Sequence, residues 1–373
     1  MTQLALHLVR SDKSSTDQTK WPVFCWPCPI HPLANNNSGD IMKVQTQFQA
    51  LRKSFVKIAL ASMALSAVSM VAQAQDWPKQ NIKFVVPFTA GSGTDIVARA
   101  VAEKLTTALG QTVVIENKPG AGGTSAANHV AKANPDGYTL LVHSSGHVVN
   151  PAIYPNLPYD TLNDLVGITP LASLPNVMVV SPSKGYKDIK DLIAKVKAKP
   201  DGFNYASAGT GSATHINAEK FRVAAGITAT HIPFKGTPEA LTETISGRID
   251  WFFAPIVSAL PLIKDGKLQV LAVGTPKRSD DLPNTPTTVE AGVTGSEYTF
   301  WVGMLAPSKT PKPVLDKLNA EVVKILNSPE FKTRLDSIGA SAMPMSSTAF
   351  NAFIKSETDT IAKLVQTAGI KAN

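Results

Sequence analysis

Pro87-Phe88-Thr89-Ala90-Gly91-Ser92-Gly93-Thr94-Asp95 follows an apolar, β-branched run and opens a segment with Ile96, Val97, Ala100, Val101 and Leu105 at helical spacing. A second stretch is built the same way: Tyr205-Ala206-Ser207-Ala208-Gly209-Thr210-Gly211-Ser212-Ala213-Thr214-His215. Each puts small residues between a strand-like run and a helix, where the backbone can come close to a partner. A helix N-terminus offers free N–H groups and the positive end of the helix dipole, so it can hold an anion without a basic side chain. Two such junctions in the two halves of one chain point to two jaws closing on one small anion. In the first, Thr94 is the expected N-cap and Asp95 suits the first turn. In the second, Ser212 is the expected N-cap, and Ser207, Thr210 and Thr214 add hydroxyl donors. A hydrogen bond to a charged group contributes roughly 1.5–3 kcal/mol. Four of them approach the ~8 kcal/mol of micromolar binding, before the costs of association.

Outward from the first junction, strand and helix patterns alternate. Strands are expected at 82–88, 112–116 and 138–142, with helices at 95–109 and 124–133 between them. This order argues for an α/β, doubly wound and mostly parallel sheet. A second α/β set follows, with strands at 176–181, 203–207, 228–233, 249–253 and 268–273 and helices at 189–198, 213–225, 238–246 and 256–263. An extended segment at 298–306 leads to a helical tail at 311–327, 329–338 and 347–368.

The N-terminal end reads differently. Lys43, Arg52, Lys53 and Lys57 precede an apolar run of about 15 residues, shorter than the roughly 20 of a membrane span. Ala72-Gln73-Ala74 completes a secretory signal peptide over 42–74, cut after Ala74. Residues 1–41 are read as a non-structural extension or a mis-called start, with Met42 the better initiator. The two cysteines, Cys25 and Cys28, fall in that extension, so neither a redox pair nor a zinc site is expected of the secreted part. About 300 residues remain, which suits two domains of ordinary size.

The formal net charge is +8, but half of that excess lies before Gln75: Arg10, Lys13, Lys20, Lys43, Arg52, Lys53 and Lys57 against Asp12, Asp17 and Asp40. No basic stripe interleaved with aromatics remains, and nucleic-acid binding is not expected. Lys118-Pro119-Gly120-Ala121-Gly122-Gly123 departs from a dinucleotide fingerprint at Ser125, and no phosphate-loop motif occurs, so no cofactor is expected. His143 and His147 lack a third ligand for zinc; strand-end hydroxyls of Ser144 and Ser145 lining a cleft are the better reading, and His215 is a further candidate contact. There is no G-x-S-x-G and no cysteine nucleophile after processing, which favours a binder over an enzyme.

The residues in order, Val86-Pro87-Phe88 with Gly93-Thr94-Asp95-Ile96-Val97-Ala98-Arg99, Glu116-Asn117-Lys118-Pro119-Gly120-Ala121-Gly122-Gly123, Asn134-Pro135-Asp136-Gly137-Tyr138, Tyr205 to Ser212, Pro233-Phe234-Lys235-Gly236-Thr237-Pro238-Glu239-Ala240, Gly247-Arg248-Ile249-Asp250 and Leu305-Ala306-Pro307, resemble a Bug-type receptor. These are the extracytoplasmic solute-binding proteins of tripartite tricarboxylate transporters. The resemblance runs from about Trp77 to Ala368. It implies a two-lobed, type II-like Venus-flytrap fold, each lobe a mostly parallel sheet flanked by helices. Lobe 1 would comprise 75–175 and 300–373, and lobe 2 would comprise 176–299. It also implies a small organic carboxylate held between Phe88, Gly91, Gly93, Thr94 and Asp95 on one side and Ser207, Gly209, Thr210, Gly211 and Ser212 on the other. Ser144 joins this set from the strand-end reading. The implied partners are integral-membrane permease subunits, and the implied form is a periplasmic monomer that is not an enzyme. A same-fold receptor signalling to a sensor, and a secreted α/β enzyme acting on a small carboxylate, are the alternatives. Phe253-Ala254-Pro255 stands where the family often has an acidic residue before the proline, so an apolar far wall is expected. Phe252 and Trp301 are candidates for cleft surface, with core packing the plainer reading.

Overall fold

The computed structural model describes residues 77–370 apart from position 201. The extension, the signal segment and both cysteines lie outside these residues. The first elements are β1 (Ile82–Val86), α1 (Gly93–Leu109), β2 (Val113–Asn117), α2 (Thr124–Ala131), β3 (Thr139–Ser144), α3 (Gly146–Ile153) and β4 (Leu165–Leu174). Then come β5 (Asn176–Val180), α4 (Ile189–Ala198), β6 (Asn204–Ser207), α5 (Ala213–Ala225), β7 (Thr230–Pro233), α6 (Thr237–Ile245), β8 (Trp251–Pro255), α7 (Ile256–Lys264) and β9 (Gln269–Val273). The chain closes with β10 (Phe300–Pro307), α8 (Lys312–Asn327), α9 (Pro329–Asp336), β11 (Ser341–Ala342) and α10 (Ser347–Ala368).

The strands form two sheets, ordered β11-β4-β10-β3-β1-β2 and β7-β6-β8-β5-β9. In the first, β1 pairs in parallel with β2 and β3, while β10 lies antiparallel between β3 and β4. In the second, β6 pairs in parallel with β7 and β8, while β5 lies antiparallel between β8 and β9. The reversed inner strand of each sheet is the first strand after the chain crosses from the other sheet. One crossing spans Leu174 to Asn176, the other Val273 to Phe300. Four strands of each sheet share one direction, so the sheets are mostly parallel; the crossing strands, and β11 at one edge, run against it. This is the two-lobed, type II-like arrangement.

Strand β10 is buried at every position and reads Phe-Trp-Val-Gly-Met-Leu-Ala-Pro, the near-continuous apolar run of a strand covered on both faces. Helices α1, α8 and α10 pack on the first sheet, and α5 and α6 on the second. One apolar core extends through the first lobe and into the second, taking in Phe84, Leu141, Trp301, Ala213 and Phe252. A smaller core, with Met178, Tyr205, Phe221, Trp251 and Phe253, belongs to the second lobe. Phe252 and Trp301 are both fully buried, so their place is the core. Among the described residues no helix is long and apolar enough to cross a membrane.

A cleft between two helix N-termini

Strands β1, β3, β6 and β8 all end at the same cleft, as ligand sites in such sheets require. Helix α1 starts at Gly93 with Ser92 as N-cap, two residues earlier than the expected cap Thr94. Ser92 takes the extended conformation, φ −67° and ψ 153°, and its C=O accepts the first intrahelical bond from Ile96 N–H at 3.0 Å. The N–H groups of Gly93, Thr94 and Asp95 therefore precede the helical ladder. Helix α5 starts the same way. Ser212 is its N-cap, as expected, and its hydroxyl accepts from His215 N–H at 3.3 Å. Ile216 N–H closes the first turn on Ser212 C=O at 3.1 Å, which leaves the N–H groups of Ala213 and Thr214 outside the ladder.

The two N-termini line one small cavity. Phe88, Ser92, Gly93 and Thr94 form one side; Ala208, Ser212, Ala213 and Thr214 form the other; Ser144, Thr237, Pro255 and Phe300 complete it. Its volume is about 10 Å³, the space of about one water. No charged side chain lines it among the described residues. Pro255, Phe88 and Phe300 give it the apolar far wall expected from Phe253-Ala254-Pro255. Beside it opens a larger cleft of about 600 Å³, edged by Pro87, Gly120, Gly122, Tyr154, Gly209, Thr210, Phe234, Lys235 and Glu239. Ala208 borders both spaces.

Of the residues expected at the site, Phe88, Gly93, Thr94, Ser144 and Ser212 line the small cavity, and Gly209 and Thr210 line the larger one. The other four line neither space: Gly91, which is exposed, and Gly211 are part of the loops, and Asp95 and Ser207 are buried beside them. Asp95 is 1% exposed and accepts from Gly91 N–H at 2.9 Å, Arg99 Nε at 2.9 Å and Asn117 Nδ2 at 2.8 Å. Burial works to raise its pKa, but hydrogen bonds from Arg99, Gly91 and Asn117, with the Arg99 charge, hold it below the usual carboxylate value. With its oxygens so engaged, Asp95 fixes the first loop.

Ser207 and Gly211 hold the second loop. The Ser207 hydroxyl accepts from Gly209 N–H at 3.0 Å and lies 2.6 Å from His231 Nε2. Gly211 N–H donates to His215 Nδ1 at 3.2 Å, and Ala208 N–H donates to the Thr214 hydroxyl at 2.9 Å. His215 and His231 stack 4.0 Å apart, and His231 stacks in turn on Tyr205. Burial pushes His215 down to about 4 and His231 to about 3, so both rings are neutral at neutral pH. His215 thus supports the loop from behind.

His143 and His147 are fully buried, with ring centroids 5.6 Å apart. Burial drives His143 well below its usual value and His147 to about 4. Among the described residues no cluster of three or more His, Cys, Asp or Glu side chains could hold a metal. The Ser145 hydroxyl does not reach the cavity lining; it accepts from Tyr298 OH at 3.0 Å.

Sequence reasoning missed Ser92, Thr237 and Phe300. Thr237 opens α6 behind the extended Gly236 and ahead of Pro238 and Glu239, the signature of a helix start. That signal was present in the sequence. What it could not give was the bond across the cleft, from Thr237 N–H to the Ser92 hydroxyl at 3.1 Å.

Comparison with known proteins gives the same architecture. Residues 97–370 match the model of the tripartite tricarboxylate transporter family receptor. A Rhodopseudomonas palustris protein solved with adipate is 33% identical with a TM-score of 0.77, over 79% of this chain and 99% of its own. The periplasmic binding protein BugD is 35% identical with a TM-score of 0.76, over 79% and 100% of the two chains. MatC from Rhodopseudomonas palustris, with bound malate, is 33% identical with a TM-score of 0.74, over 78% and 100%. The chain therefore belongs to the tripartite tricarboxylate transporter receptor family, the Bug-type periplasmic solute-binding receptors.

Proposed function

We propose that this protein captures a small organic carboxylate between its lobes in the periplasm and delivers it, without chemical change, to the permease subunits of a tripartite tricarboxylate-type transporter. The observation that carries this reading is the pair of helix N-termini, α1 and α5, lining one cavity with no charged side chain. Backbone N–H groups and buried hydroxyls of Ser92, Thr94, Ser144, Ser212 and Thr214 supply donors for an anion and do not titrate near neutral pH. Adipate and malate, described with two relatives, are small carboxylates of the kind such donors hold.

The lobes meet closely here, so ligand entry requires them to part. The open form takes the carboxylate on one N-terminus, and the second N-terminus adds its donors on closing. Closure is then driven by the difference in affinity between the two states. The signal segment ending at Ala74 accounts for export, and a monomer suffices because both N-termini come from one chain. A thermal-shift panel of mono-, di- and tricarboxylates and amino acids, on protein freed of co-purified ligand, tests the reading. A rise in melting temperature with at least one carboxylate is expected. No shift with any of them would overturn it.

A further inference from the structure

The junction loops are also gripped by the opposite lobe, through bonds that contain no ligand atom. The Thr89 hydroxyl of the first loop donates to Glu239 Oε2 on α6 at 3.0 Å, and α6 returns a bond from Thr237 N–H to the Ser92 hydroxyl. The second loop is held from the first lobe. Tyr154, directly after α3, donates its hydroxyl to the Thr210 carbonyl at 2.9 Å. At both grips the backbones come too close for a side chain. A Cβ on Gly236 would collide with the Thr89 hydroxyl, and one on Gly122 would collide with the Thr210 carbonyl oxygen. A Cβ on Gly146 would lie 3.0 Å from the Gly211 carbonyl oxygen. Each lobe thus holds the other's loop, at the rim of the larger cleft, through half-buried side chains.

We propose that Tyr154 and the Thr89–Glu239 pair are the two halves of a reciprocal clasp, positioning residues that set ligand affinity by setting the population of the closed form. This rests on the binding reading above. A ligand held more tightly by the closed form is weakened as the closed fraction of the protein falls. The lobes part only once the bonds across the cleft rim are broken, so losing one speeds release more than it slows capture.

Tyr154→Phe removes one hydroxyl, and Thr89→Val removes the other donor at almost constant volume. Spin labels at Val114→Cys and Val223→Cys, on exposed positions of β2 and α5, report the separation of the lobes, with Cys25 and Cys28 replaced by serine in the full chain. Each clasp variant should move the label distances of the ligand-free protein toward longer values. Each should also raise the dissociation rate of adipate or malate at least about 2- to 10-fold, the scale of one ordinary hydrogen bond, with the association rate little changed. Unchanged distances and unchanged dissociation in both variants would overturn the clasp. Should neither acid bind, the label distances of the ligand-free protein still decide the clasp, and the binding reading is decided by the wider carboxylate panel.

Discussion

Gly236 separates closure from folding at a single residue. Its φ of −174° is extended backbone that any residue adopts, so Gly236→Ala is unstrained in an open molecule. In the closed one, the new methyl would meet the Thr89 and Ser92 hydroxyls. Gly236→Ala should therefore keep the ligand-free melting temperature within a few degrees and lose most of the carboxylate-induced shift, which differential scanning fluorimetry reads. Asp95 makes the complementary case. Asp95→Asn keeps the shape but removes the charge that holds Arg99 and the Gly91 N–H. Charge-assisted bonds of this kind contribute roughly 1.5–3 kcal/mol, and chemical denaturation should show a loss on the lower part of that scale. A variant as stable as the parent would remove Asp95 from the loop's support.

At the scale of elements, β3, α3, α5 and β7 carry one histidine each around the cleft loops: His143, His147, His215 and His231. The first three are buried and His231 is half-buried. Burial lowers all four, to about 4 for His147 and His215 and about 3 for His231. The folded state keeps these rings neutral while the unfolded chain protonates them near pH 6.5. Stability is thus full above about pH 6.5 and declines as pH falls toward 4, where the unfolded state binds the extra protons. The melting temperature should drop between pH 7.5 and pH 5; a flat profile would contradict the neutral assignment. The same elements show what the sequence could and could not disclose. Strands and helices with clean apolar spacing, such as β1, α1 and the helix 347–368, were legible, and both N-cap loops with them. Helix α3 was not, because Gly146 and Pro151 interrupt its pattern and only packing against the second loop fixes it. The reversal of β5 and β10 was hidden for another reason: strand direction follows from how the chain crosses between lobes, which residue spacing does not encode. The meeting of Thr237 with Ser92 was not legible either, because a bond between loops 145 positions apart in the chain is a tertiary property.

For the whole molecule, the account reduces to two helix N-termini brought together by closure of two lobes around an anion. Binding to the closed form raises its stability by mass action, by about 2.7 kcal/mol at 100 times the dissociation constant, so the melting temperature should rise with carboxylate concentration without a plateau at stoichiometry. The claim that both N-termini share one ligand is tested most directly by isothermal titration of the carboxylate giving the largest thermal shift, against the parent protein and against Thr94→Phe and Ser212→Phe separately. Each substitution fills the cavity from one lobe only. The account predicts binding in the parent and its loss in both variants, with the fold retained by circular dichroism. Parent-like affinity in either variant would place the ligand elsewhere and contradict it.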